Sequence, residues 1–161
     1  MKITSSIEYA TRLMVQLARV YGDEPLSGDK LSRSENVPVD YVNQLLLRLK
    51  RGGLVESRRG AGGGYTLSRP PAQIRLGDVL RAVEGPIFEN VCEKYTSDAS
   101  DCRHQTGCGI SRVWQKLGAL IEAYFDSITL QSLIEEPSGA CGRVAALLDK
   151  AAAVQTSRRG S

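Results

Sequence analysis

The sequence predicts a mostly α-helical protein with a small β-hairpin wing, a winged helix-turn-helix domain followed by one long dimerisation helix. Three observations predict it. Residues 36–55, "NVPVDYVNQLLLRLKRGGLV", carry apolar side chains at helical spacing between a proline and a glycine pair. Residues 56–67, "ESRRGAGGGYTL", place four glycines within five positions between short alternating segments, the pattern of a hairpin. From Ile110 to Ile128, apolar residues recur around a helix of about five turns.

A chain of 161 residues supports one domain, or one small domain with an appendage. Hydrophobic residues make up 42% of it, enough for a core, and no uninterrupted apolar stretch would cross a bilayer. Near the N-terminus the apolar positions are separated by Arg12, Gln16 and Arg19, unlike the core of a signal peptide. A cytoplasmic protein without a membrane partner is expected. In that compartment four cysteines do not imply a disulfide framework. With one histidine and no nucleophile–base pair, the chain offers no catalytic constellation and reads as a non-enzyme.

The elements follow in order. Ser5 or Ser6 is placed to cap a first helix running to about Val20, with Ile7, Ala10, Leu13, Met14 and Leu17 on one face. Ser27 caps a shorter second helix through Leu31 and Ser34. In the third, Val42, Leu45, Leu46 and Leu49 form the buried stripe, leaving Asp40, Tyr41, Asn43, Gln44 and Arg48 on the opposite surface. A fourth helix carries Leu76, Val79, Leu80 and Val83 and ends at Gly85–Pro86. The apolar coverage of the last helix (Ile110, Val113, Trp114, Leu117, Leu120, Ile121, Tyr124, Phe125) is too broad for a small domain to bury. A second copy of the chain is the natural cover, giving a homodimer. The organisation expected is a DNA-binding domain at 1–85 and a cysteine-bearing loop at 86–109. The dimerisation helix with a short C-terminal helix would follow at 110–136, then a tail at 137–161.

The glycine run invites a nucleotide reading, which fails. A phosphate loop needs Lys and then Ser or Thr after its last glycine, where this chain has Tyr65 and Thr66. The dinucleotide fingerprint lacks its third glycine, and no helix pattern follows. DNA fits better. Between Arg48 and Arg69 there are six basic side chains (Arg48, Lys50, Arg51, Arg58, Arg59, Arg69) and one acid, Glu56. The local charge is about +5, whereas the whole chain carries only +3. In a helix-turn-helix the third helix enters the major groove with its N-terminal residues nearest the bases. Asn43 and Gln44 have the donor–acceptor pair that matches adenine, while Arg48, Lys50, Arg58 and Arg59 suit phosphates. The expected partner is a double-stranded DNA operator.

The segment 87–109 holds Cys92, Cys102 and Cys108, with nine residues in the first interval and five in the second. Thiolates suit iron–sulfur clusters and zinc, although structural zinc draws on closely spaced pairs that are missing here. A reversible thiol pair, Cys102 with Cys108, and three inert cysteines are the remaining readings. Cys141 lies beyond the last patterned helix and reads as a tail cysteine.

The series "YVNQLLLRLKRGGLVESRRGAGGGYTLSRP", preceded by "MKITSSIEYATRLMVQLA" and followed by "IRLGDVLRAVEG", strongly resembles the winged-helix regulators that include IscR, NsrR, RirA and CymR. The resemblance covers about residues 1–135. It implies a homodimeric transcription factor whose sensory site is, in most members, an iron–sulfur cluster. Cys92, Cys102 and Cys108 stand where cluster-binding members hold their metal, with [2Fe–2S] favoured over [4Fe–4S]. The position at which IscR-like members carry a histidine ligand is Ser111 here. Some relatives supply a carboxylate from the first helix to the cluster of the other subunit, which makes Glu8 the preferred fourth ligand. His104 is the alternative, with Asp98 and Asp101 as further local candidates. Against Glu8 stands a capping box, in which Ser5 and Glu8 would satisfy the helix start. Two rival functions accompany this reading: a cluster-free regulator controlled by thiol oxidation or a partner protein, and an electron-carrying iron–sulfur protein. The second leaves the basic helix and wing unexplained.

Overall fold

The computed structural model of the chain describes residues 3–60, 62–88 and 109–135. Cys92, Cys102, Cys108, Cys141, His104, Asp98 and Asp101 lie outside the described residues.

Helix α1 spans Ser5–Arg19 and buries Ala10, Leu13, Met14, Leu17 and Ala18, whereas Ile7 is only half-buried. Its cap is Thr4, whose hydroxyl accepts from the Ile7 amide at 3.3 Å, rather than Ser5 or Ser6. Three consecutive hydroxyl residues could each have capped the helix. The choice is tertiary: Thr4 Oγ1 also donates to Glu84 Oε1 at 2.8 Å, tying the start of α1 to the end of the fourth helix. Because the cap is Thr4, the box between Ser5 and Glu8 does not form. Glu8 instead accepts from Arg12 Nε, one turn on, at 2.9 Å.

Helix α2, Gly28–Glu35, starts where Ser27 accepts from the Lys30 amide and stops at Asn36, the one described non-glycine residue with positive φ. A short polar residue tolerates this left-handed geometry best. Helix α3, Val39–Arg51, follows Pro38 directly and buries Val42, Leu45, Leu46 and Leu49, as its periodicity predicts. Gly52 ends it, and Gly53 at φ +69° turns the chain into the hairpin.

Strands β1 (Val55–Arg58) and β2 (Gly64–Leu67) pair antiparallel, with Val55 opposite Leu67 and Arg58 opposite Gly64. A short 3₁₀ turn at Pro71–Gln73 leads to α4, Leu76–Glu84, and α5 is Gly109–Asp126. The short helix α6, Leu130–Glu135, returns to the first elements: Leu130 donates its amide to the Ile74 carbonyl at 3.0 Å and is fully buried. One apolar core joins α1, α2, α3, the hairpin, α4 and Leu130. No described helix is long and apolar enough to cross a membrane.

Candidate nucleic-acid interface

The buried stripe of α3 decides which of its residues face outward. At 3.6 residues per turn, the positions opposite Val42, Leu46 and Leu49 are Asp40, Gln44, Leu47 and Arg51. All four are exposed. The remaining sequence-predicted residues lie on the two flanks. On one flank Tyr41 is half-buried; its hydroxyl meets Ser6 Oγ at 3.0 Å and its ring stands edge-on to Tyr9 at 6.2 Å. On the same flank Arg48 donates from Nη1 to the Val83 carbonyl near the end of α4, at 3.1 Å. Asn43 and Lys50 occupy the other flank. Asn43 leans over the start of α2, where a Cβ on Gly28 would lie 2.7 Å from its Oδ1. Lys50 Nζ donates to Ser57 Oγ in the hairpin at 2.6 Å, linking the helix to the wing.

The residues named from sequence include Asp40 and Gln44 of the outward line but not Leu47 and Arg51, which share it. Arg51 enters the sequence reading only through the local charge. Measuring every position from the centre of the buried stripe finds both residues from sequence alone.

Arg58 and Arg59 are exposed at the wing tip. The surrounding glycines have internal reasons. Gly60 sits at φ +115°, and Gly63 donates its amide to the Gly60 carbonyl at 2.9 Å. A Cβ on Gly63 would come within 2.5 Å of the Arg58 carbonyl, and one on Gly64 within 2.6 Å of the Leu26 carbonyl. The second approach is a backbone bridge in which Leu26 and Tyr65 exchange both hydrogen bonds, at 2.8 and 3.0 Å. The wing is thus fastened to the residues that lead into α2. At Gly62 an added Cβ meets nothing within 4 Å among the described residues, and at Gly60 the space is equally open, so there the positive φ is what favours glycine.

Behind the interface an ion-pair chain joins distant elements. Arg69, just past the wing, contacts Asp78 at 3.1 Å; Arg81 contacts Asp78 at 3.2 Å and Asp126, the last residue of α5, at 2.5 Å. Partial burial works to raise the Asp78 carboxyl. The Arg75 amide, the Arg81 guanidinium and the charge of Arg69 outweigh it, so the group sits below its ordinary range. The hydrogen bond from Arg81 to Asp126 raises the arginine in turn. Arg69, one of the six basic residues of the local cluster, is thus paired with a carboxylate inside the fold.

Glu8, the proposed metal ligand on α1, is half exposed and ion-paired to Arg12 at 2.8 Å. That bond, together with the Glu8 charge, raises the Arg12 guanidinium. Among the described residues no three His, Cys, Asp or Glu side chains gather into a metal-binding group, and the cysteine trio lies outside them.

A helix-turn-helix with an outward polar face, followed by a basic two-stranded hairpin, defines a winged-helix DNA-binding protein. The chain belongs to the Rrf2 family, described as iron-dependent transcriptional regulators, which its residues 3–136 match. It is similar to the solved structure of CymR, the global cysteine regulator of B. subtilis, with 30% identity and a TM-score of 0.67. That match covers 84% of this chain and 97% of CymR. It is also similar to the structure of T. potens IscR, at 31% identity and a TM-score of 0.65, covering 87% of this chain and 90% of the other. The transcriptional regulator IscR of Vibrio atlanticus is 31% identical over 136 residues, 84% of this chain and 76% of that protein.

Proposed function

We propose that this transcriptional regulator is a homodimer whose affinity for a double-stranded DNA operator is gated by an iron–sulfur cluster. The carrying observation is where the cysteine-bearing segment falls. It connects α4, bonded to α1 through Glu84 and to α3 through Val83, with α5, whose apolar face is exposed. A change of state in that segment acts on the reading helix and the dimer face together, which is the linkage a sensor needs.

In this reading Asp40, Asn43 and Gln44 face base edges, and Arg48, Lys50, Arg58 and Arg59 face phosphates. Tyr41 positions α3 against α1 through Ser6. The donor set suits the cluster. Cys92, Cys102 and Cys108 supply soft thiolates, with [2Fe–2S] favoured over [4Fe–4S]. Glu8, from the other subunit, supplies an oxygen held otherwise by an exposed i,i+4 pair of small energetic worth. His104 is the alternative ligand. When bound, the cluster supplies a centre sensitive to iron supply, redox state or nitric oxide.

A second reading rests on the likeness to CymR, the global cysteine regulator. There the same cysteines respond by thiol chemistry alone, or a partner protein takes the sensing role. Anaerobic purification separates the two. A brown, iron-containing protein whose DNA affinity shifts at least about fivefold on cluster removal is the expected result. A colourless, iron-free protein whose DNA affinity follows thiol oxidation instead supports the cluster-free regulator.

A further inference from the structure

Leu47 is the large apolar side chain of α3 that stays in solvent, 48% exposed. A single exposed leucine on a protein surface needs no explanation. This one sits on the outermost line of the reading helix, one turn after Gln44 and one turn before Arg51. The core leucines of the same helix, Leu45, Leu46 and Leu49, are at most 1% exposed. Leu47 therefore contributes nothing to the core and points where α3 would meet the groove. On the same helix Asp40 precedes it and Lys50 and Arg51 follow it, and the wing carries the exposed Arg58 and Arg59. An anionic surface that also offers an apolar group suits this combination of an exposed leucine and nearby positive charge in the sequence. The major groove of DNA has one such group, the C5-methyl of thymine.

We propose that Leu47 is a specificity-determining residue that packs on a thymine methyl in each operator half-site. The inference rests on the DNA-reading role of α3 set out above. Removing one methyl from such a contact weakens binding about fourfold, the equivalent of a buried methyl-sized group.

The test uses the full chain, purified anaerobically, and a random 30-base-pair duplex library. The enriched duplex is synthesised with each thymine replaced in turn by uracil, which keeps the adenine pairing and removes only the methyl. Fluorescence anisotropy should show a loss of about fourfold at one position in each half-site. Leu47→Ala should weaken the parent duplex to a similar degree and become indifferent to uracil there, while keeping the parent's melting temperature. An enriched duplex that tolerates uracil everywhere overturns the proposal and leaves DNA reading intact. So does a Leu47→Ala protein as uracil-sensitive as the parent. If no duplex is enriched, the DNA-reading role itself falls and the proposal with it.

Discussion

The DNA-reading half and helix α5 handle apolar surface in opposite ways. Helices α1, α3 and α4 turn their leucines and valines into a shared core, where Leu13, Met14, Leu46 and Val79 are at most 1% exposed. Helix α5 has Gly118 as its one buried described residue; a Cβ there would lie 2.6 Å from Phe88 Cδ1. Its Ile110, Val113, Trp114, Leu117 and Leu120 remain open, from 38% to 68% exposed. Amphipathic patterning is the same kind of signal in both regions. Whether the apolar face is satisfied inside the chain depends on how many other elements surround the helix. The core helices have several; α5 is held along one side and at its C-terminal end, through Asp126 and Arg81.

Four substitutions break or sharpen that contrast. Leu46→Ala empties a fully buried site and should cost about 2–5 kcal/mol, read as a lower midpoint in urea unfolding. On the open face, Leu117→Asp should leave monomer stability nearly unchanged while weakening self-association at least about tenfold, about 1.4 kcal/mol. Sedimentation at graded concentrations reads the difference; an unchanged association constant would remove α5 from the dimer interface.

Asp78→Asn probes the ion-pair chain between the halves. The folded Asp78 carboxyl lies below its ordinary range, so its stabilisation is fully present above about pH 4, near the unfolded carboxylate value. That stabilisation disappears as pH falls through the lower folded value. The variant should lose less than about 1 kcal/mol at neutral pH, because the pair is partly exposed, and should flatten the acid limb of a stability-versus-pH curve. An acid limb identical to the parent's would show that Asp78 does not drive it. Smallest is Arg59→Ala at the wing tip. It should leave stability untouched and reduce the slope of operator affinity against salt by about one.

Most of the reading half was legible because its signals are local. The α3 stripe, the proline and glycines at its ends, the Ser27 cap and the hairpin around the glycine run each lie within a few residues. Three features were not. Thr4, Ser5 and Ser6 are equally good caps, and only the distant Glu84 selects Thr4. Arg69 reads as free positive charge until Asp78 comes into reach, and Arg48 keeps its charge but gives one guanidinium nitrogen to the Val83 carbonyl. From sequence the wing glycines read only as a hairpin tip, yet Gly63 and Gly64 are required by the Arg58 and Leu26 carbonyls. Leu47 and Arg51, by contrast, are legible from the helical period, which puts both opposite the buried stripe of α3.

By itself, then, the sequence determined the element types, their order, the buried stripes of α1, α3 and α4 and the concentration of charge near the wing. These depend on backbone preferences and periodicities that act over one or two turns. Tertiary structure alone decided which hydroxyl caps α1, which arginines are paired within the fold, and how α5 is fastened to α4 by a bond between residues 81 and 126. Partners so far apart in the chain leave no local pattern. Hydrogen-bond and ion-pair energies fall steeply with distance, and the fold alone sets those distances.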